Sequence, residues 1–158
     1  MHRDCLFCGI ARGEVPSYRV AETPGALAFL DIRPLRPGHT LVIPRSHAED
    51  LRDLRPSDWQ AVTQLGHWVA QRFLETLSAD GVNLFLASGV AADQTVFHAH
   101  LHVIPRHTGD ALDLRTWWES RARPAGPAEL AEMAQRLAGS PPGEGPRPRT
   151  GRGSGSDP

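Results

Sequence analysis

Lysine is absent from this chain of 158 residues: all 17 basic residues are arginine, set against 18 acidic ones for a formal net charge of −1. Such a balance gives no bulk attraction to nucleic acid or to an anionic membrane surface, so neither is expected as a partner. The arginine bias is read first as a mark of genome composition, ahead of a use in bidentate anion contacts. Long apolar runs are missing too. Met1-His2-Arg3-Asp4-Cys5 leads into none, so no secretory signal is expected. The longest helical stretch carries Gln64, His67, Arg72 and Glu75, which excludes a membrane span there. A cytoplasmic location is the expectation. Cysteine is scarce, with Cys5 and Cys8 the only two, so no disulfide framework is available. The length fits one domain able to bury a core.

What is present in strength is histidine. Phe97-His98-Ala99-His100-Leu101-His102-Val103-Ile104-Pro105 places three histidines at alternate positions with apolar residues between them. On a strand, alternate side chains share a face, so this pattern predicts a strand that projects His98, His100 and His102 together. Each imidazole loses hydration if that face is covered, so a row of them calls for a use. The outer pair would lie about 13 Å apart on a regular strand. They could not share one ion whose bonds to nitrogen are about 2 Å. The row therefore divides its labour.

Cys5-Leu6-Phe7-Cys8 supplies half of a zinc site or a redox pair. Nothing strand-like precedes it, which disfavours the redox architecture, and tetrahedral zinc would need two further ligands, expected to be histidines. Downstream, residues 10–13 read as a helical turn closed by Gly13, residues 18–22 as an outer strand, 26–32 as a buried strand ending near Asp31, and 39–44 as a third strand. Together these form a β-meander. Ser57 and Gln60 match a capping box, predicting a helix to about Leu77 with Val62, Leu65, Val69, Phe73 and Leu77 on one face and a stop at Gly81. Residues 82–87 read as a strand, 88–94 as a loop, 112–118 as irregular with Trp117 and Trp118 as an anchor or interface, and 129–138 as a short helix. Residues 140–158 are Pro, Gly, Ser and Arg with almost nothing apolar, and are expected to be disordered.

Three blocks, Asp4-Cys5-Leu6-Phe7-Cys8-Gly9-Ile10, the stretch from Phe29-Leu30-Asp31-Ile32 to Pro44-Arg45-Ser46-His47, and His98-Ala99-His100-Leu101-His102-Val103-Ile104, resemble the histidine-triad (HIT) family in their order and separation. The resemblance implies an α+β fold, a five-stranded antiparallel sheet with one long helix and short helices, over residues 1–139, usually assembled as a homodimer. It implies a nucleotide substrate, either a nucleoside 5′-phosphoramidate or a dinucleoside polyphosphate, cleaved through a nucleotidyl-histidine intermediate. His100 matches the nucleophile. His102 matches the group that contacts phosphate and helps protonate the leaving group, and His39 would donate to a phosphate oxygen. Asp31 matches a ribose-binding carboxylate. Phe7, Ile10, Phe29 and Ile32 resemble the walls around the base, though each could equally be core. Gln94, Thr95 and Val96 belong to a loop expected to cradle phosphate. Cys5, Cys8, His47 and His98 match a structural zinc site.

Two positions depart from the family pattern. Ala87-Ser88 stands where a polar side chain is common, and Asp93 where glycine is. These leave open a second reading, a binding module that holds a nucleotide or protein partner with little turnover. A third reading, a metalloenzyme with its ion at His100 and His102, would require a second metal per chain.

Overall fold

The computed structural model describes residues 5–139. The expected disorder of 140–158 lies outside the described residues. The first compact unit ends at Ala111 and the second begins at Leu112.

The first unit is built on a fully antiparallel five-stranded sheet. Its strands are β1 (Arg19–Glu22), β2 (Ala26–Leu30), β3 (Thr40–Pro44), β4 (Gly81–Phe85) and β5 (Leu101–Arg106), in the order β1-β2-β3-β5-β4. β1 to β3 form the predicted meander. β2 and β3 do not alternate between buried and exposed, because both faces are covered. On one face α2 (Pro56–Thr76) lays Val62, Leu65, Val69 and Phe73 against Ala26, Ala28, Val42, Leu101 and Val103. Each such side chain contributes about 1.5–3 kcal/mol when fully buried. Gly66 makes this close approach possible: a Cβ there would lie 2.7 Å from Leu101 Cδ2. On the other face α1 (Leu6–Arg12) brings Phe7, Ile10 and Ala11 onto Leu27, Phe29, Leu41 and Ile43. α1 ends at Gly13 in the left-handed conformation, as its sequence predicts.

Several predicted boundaries move. The capping box at Ser57 does not form. Arg55 is the N-cap and Pro56 opens the helix, its fixed φ and missing N–H suiting that position. The helix closes at Leu77, where Ser78 turns with φ 51°, and Gly81 instead begins β4. The histidine strand is shorter than predicted. Residues 97–100 are not in the ladder, because the Ala99 N–H donates to the Ala48 carbonyl at 2.7 Å and the His98 N–H to the Val96 carbonyl. Only His102 lies within β5.

The second unit contains α3 (Leu114–Glu119) and α4 (Pro127–Leu137). α3 replaces the irregular stretch expected there. Asp113 accepts from the Thr116 N–H at 2.8 Å as an N-cap, and Arg115 pairs with Glu119 one turn on. Trp117 and Trp118 are both exposed on it.

Candidate active site and metal centre

Because α1 starts directly after Cys5, the two thiols stand one helical turn apart and face the same chain segment. His98 Nδ1 lies 3.5 Å from each sulfur, and His47 Nδ1 lies 3.3 Å from Cys8 Sγ. All four donor atoms fall within 4.8 Å of one another. A tetrahedral zinc with bonds of about 2.3 Å to sulfur and 2.0 Å to nitrogen spaces such atoms about 3.5 Å apart. The donor set and spacing therefore fit a closed Cys₂His₂ site. His98 Nε2 donates to the Pro44 carbonyl at 3.0 Å, which leaves the Nδ1 lone pair aimed at the sulfurs. Burial, with Cys5 beside it, pushes the Cys8 thiol up to about 11. A divalent cation would reverse that by stabilising thiolate. A cleft of about 380 Å³ opens beside this centre, between the His47–Glu49 and Thr95–Phe97 segments.

His39, His100 and His102 form a second cluster, on the same sheet face as α1. β-pairing sets Leu41 and Phe85 directly opposite His102. Phe85 stacks on the His102 ring at 4.8 Å between centroids, and His100 lies 4.9 Å from it edge-on. Phe7 meets His100 at 5.3 Å. His100 Nδ1 donates to the His98 main-chain carbonyl at 2.7 Å. That bond places the proton on Nδ1 and leaves Nε2 with a lone pair. His39 is buried, not at a solvent-facing strand edge. Its Nδ1 accepts from the Leu35 N–H at 3.2 Å, so its proton sits on Nε2, 2.9 Å from His102 Nδ1. His102 in turn carries its proton on Nε2. His39 is thus occupied by His102 rather than available to a phosphate oxygen.

The other predicted residues divide. Asp31 Oδ1 accepts from the Arg33 N–H at 2.7 Å while Oδ2 lies 3.7 Å from His39 Nδ1. Ile32 is 81% exposed, whereas Phe7, Ile10 and Phe29 are core, with Val96 packed against them. Thr95 is exposed. The Gln94 side chain turns inward. Its Oε1 accepts from the Gly89 N–H at 2.7 Å, and its Nε2 donates to the Glu49 and Val96 carbonyls at 2.6 and 3.0 Å. It latches the loop to the segment that carries His47. The N–H groups of Ala92, Asp93 and Gln94 are likewise used inside the loop. Asp93 has φ 62°, a left-handed conformation that explains why glycine suits the position and why Asp is tolerated there. Ser88 Oγ accepts from the Leu51 N–H at 3.1 Å. Phe85 and the Pro44, Ala48 and Glu49 carbonyls were not predicted as site groups. The signal for Phe85 is its position opposite His102 in the ladder, which appears only once the strands are paired.

Burial dominates the electrostatics. It draws His98 and His102 down to about 4, and lowers His39 and His100 as well, with Asp31 opposing the shift at His39. Histidines whose folded pKa is depressed bind fewer protons than the unfolded chain below its ordinary value of about 6.5, so stability falls as pH falls from there toward 4. His98 alone should cost the metal-free protein about 2 kcal/mol at pH 5 relative to pH 7.5. Urea unfolding at the two pH values checks this, and an unchanged midpoint would refute it.

The HIT domain profile matches residues 12–109. A HIT-like protein of Mycobacterium tuberculosis is 44% identical over 110 residues, covering 70% of this chain and 76% of the relative. An adenylylsulfatase of Arabidopsis thaliana, HINT3, is 34% identical over 137 residues, 87% of this chain and 67% of the relative. Among solved structures, a Zn-bound histidine triad family protein from Mycobacterium smegmatis superposes with a TM-score of 0.68 at 39% identity, covering 84% of this chain and 97% of that one.

Proposed function

The chain belongs to the histidine-triad family, and on that premise we propose that it is a nucleotidyl hydrolase or transferase acting on a nucleoside 5′-phosphoramidate or a dinucleoside polyphosphate. The observation that carries the reading is the 2.7 Å bond from His100 Nδ1 to the His98 carbonyl. It leaves His100 Nε2 as a neutral nucleophile at ordinary pH, and burial keeps it so. Nε2 attacks phosphorus, the N–P bond forms, and the bond to the leaving group breaks. Water then attacks the same phosphorus, releases the nucleoside monophosphate and restores the imidazole.

His102 Nε2–H is the donor for the phosphoryl oxygens. At a pKa of about 4 it is uncharged in the free protein, so it starts as a hydrogen-bond donor. It becomes an effective acid only when the phosphate's negative charge raises its affinity for a second proton. Asp31 is the ribose-binding carboxylate of this reading. Cys5, Cys8, His47 and His98 hold a structural zinc ion, which when bound crosslinks α1 to the segments around β3 and β5. Release of nucleoside monophosphate from an adenosine phosphoramidate is the test. Nucleotide binding with no release would favour the binding-module reading, which the Asp93 carboxylate in the loop otherwise supports.

A homodimer is part of the proposal. β4 is an edge strand whose Leu84 and Phe85 are half exposed, and an apolar edge of this kind favours pairing with a second copy. Leu84→Glu should shift the protein from dimer to monomer in sedimentation velocity. A wild-type protein that already sediments as a monomer would refute the assembly.

A further inference from the structure

Apart from the cysteine centre, one other group of ligand-type side chains converges among the described residues: Asp31, His39 and His102, with donor atoms within 4.8 Å of one another. We propose that this trio is a second divalent-cation site, selective for a borderline transition-metal ion, and that the ion lowers turnover while it is bound. The effect on turnover rests on the reading of His100 and His102 as the reacting pair; the binding does not.

The geometry points there first. His39 Nε2 and His102 Nδ1 face each other at 2.9 Å with a single hydrogen between them. An ion bonded to both nitrogens at about 2.0–2.1 Å would sit off the line joining them and subtend an angle near 90°, the cis angle of an octahedral ion. The two residues are held by neighbouring antiparallel strands, since Leu41 pairs with His102 and His39 immediately precedes β3. With ring centroids 5.1 Å apart both nitrogens lie nearly on the line between the rings, so both rings turn about their side-chain bonds to aim at an off-line ion, and the nitrogen donors disfavour magnesium and calcium.

The protons also balance. Binding at His39 Nε2 requires that nitrogen to give up its hydrogen. The imidazole stays neutral if Nδ1 takes a proton instead. Nδ1 then releases its long 3.2 Å contact from the Leu35 N–H and turns donor toward Asp31 Oδ2, now 3.7 Å away. This produces a carboxylate–histidine–metal arrangement, in which Asp31 backs the ligand rather than bonding to the ion. The remaining positions on the ion are left to water. Turnover falls because the ion takes over the nitrogen through which His39 orients His102, and because a cation then lies against the ring packed 4.9 Å from His100.

The test uses full-length protein carrying one zinc per chain, titrated with cobalt(II). Calorimetry measures binding and visible absorption reports its ligands. Zinc at the cysteine centre outcompetes cobalt there, so the new ion should show weak d–d bands and no sulfur-to-cobalt charge transfer. The expected result is one further equivalent per chain, with affinity falling about 10- to 100-fold in Asp31→Asn and binding lost in His39→Gln. Monophosphate release should decline in step with occupancy and return on chelation of the cobalt. Absence of a second equivalent, affinity unchanged in Asp31→Asn, charge-transfer bands, or turnover that rises with cobalt would each overturn the proposal. If the wild type shows no turnover before cobalt is added, the hydrolase reading fails, while the calorimetry still decides the site.

Discussion

His100→Ala protein should bind nucleotide yet lose turnover by about 10⁴-fold or more, the scale seen when a covalent nucleophile is removed. Wild-type protein quenched without acid during reaction with an adenosine phosphoramidate should gain the mass of one nucleotidyl group, and the variant should gain none. The size of the effect follows from how little else could attack. His102 Nδ1 already accepts from His39 Nε2, and His39 Nδ1 faces Leu35. The His98 nitrogens are directed at Pro44 and at the sulfurs. His100 Nε2 is the cluster's uncommitted basic nitrogen, so no neighbour can substitute for it. Alanine at 100 removes a ring packed on Phe7 and His102, so the variant's Tm should be measured alongside. Retained folding and binding, together with full monophosphate release, would refute the assignment of the nucleophile.

The second large effect concerns the metal centre. Cys8→Ser should reduce bound zinc from one per chain to well below one and lower the Tm by about 10–20 °C, the equivalent of roughly 3 kcal/mol in a domain of this size. Cys8 is buried and its sulfur contacts both His47 and His98. Serine there offers a hard oxygen with no thiolate, and both histidines would lose their common partner. The fall in Tm is the structural signature. If chelation instead abolished turnover at once with the Tm unmoved, the ion would belong to the chemistry and its assignment as structural would be wrong.

Much of the fold could be read from the sequence because its signals were local. The apolar face of α2, the meander and the turn at Gly13 each follow from spacing or from a residue suited to one backbone conformation. The boundaries that moved did so where a nonlocal bond decided. Ala99 donates to Ala48 instead of to a strand partner, and this cuts the histidine strand short. In the site, the Cys5–Cys8 spacing called for two further histidine ligands and the family resemblance named His47 and His98, and the donor atoms of the four do converge. What sequence could not supply was which nitrogen faces which atom. His39 was expected to serve a phosphate and instead lies against His102. Gln94 was expected to face a ligand and instead latches the loop. Both outcomes depend on side-chain direction, which residue identity leaves undetermined.

The acceptor that orients His100 has a consequence for how such a protein can change over generations. In hydrolases that orient their histidine with an aspartate, one codon change deletes the orienting group. Here that group is a peptide oxygen two residues earlier in the same chain, present whatever amino acid occupies position 98. Ordinary substitution cannot erase it. Under the proposed function, descendants abandon turnover by replacing His100, His102 or the substrate contacts, and those that keep His100 inherit its alignment with no second side chain to preserve.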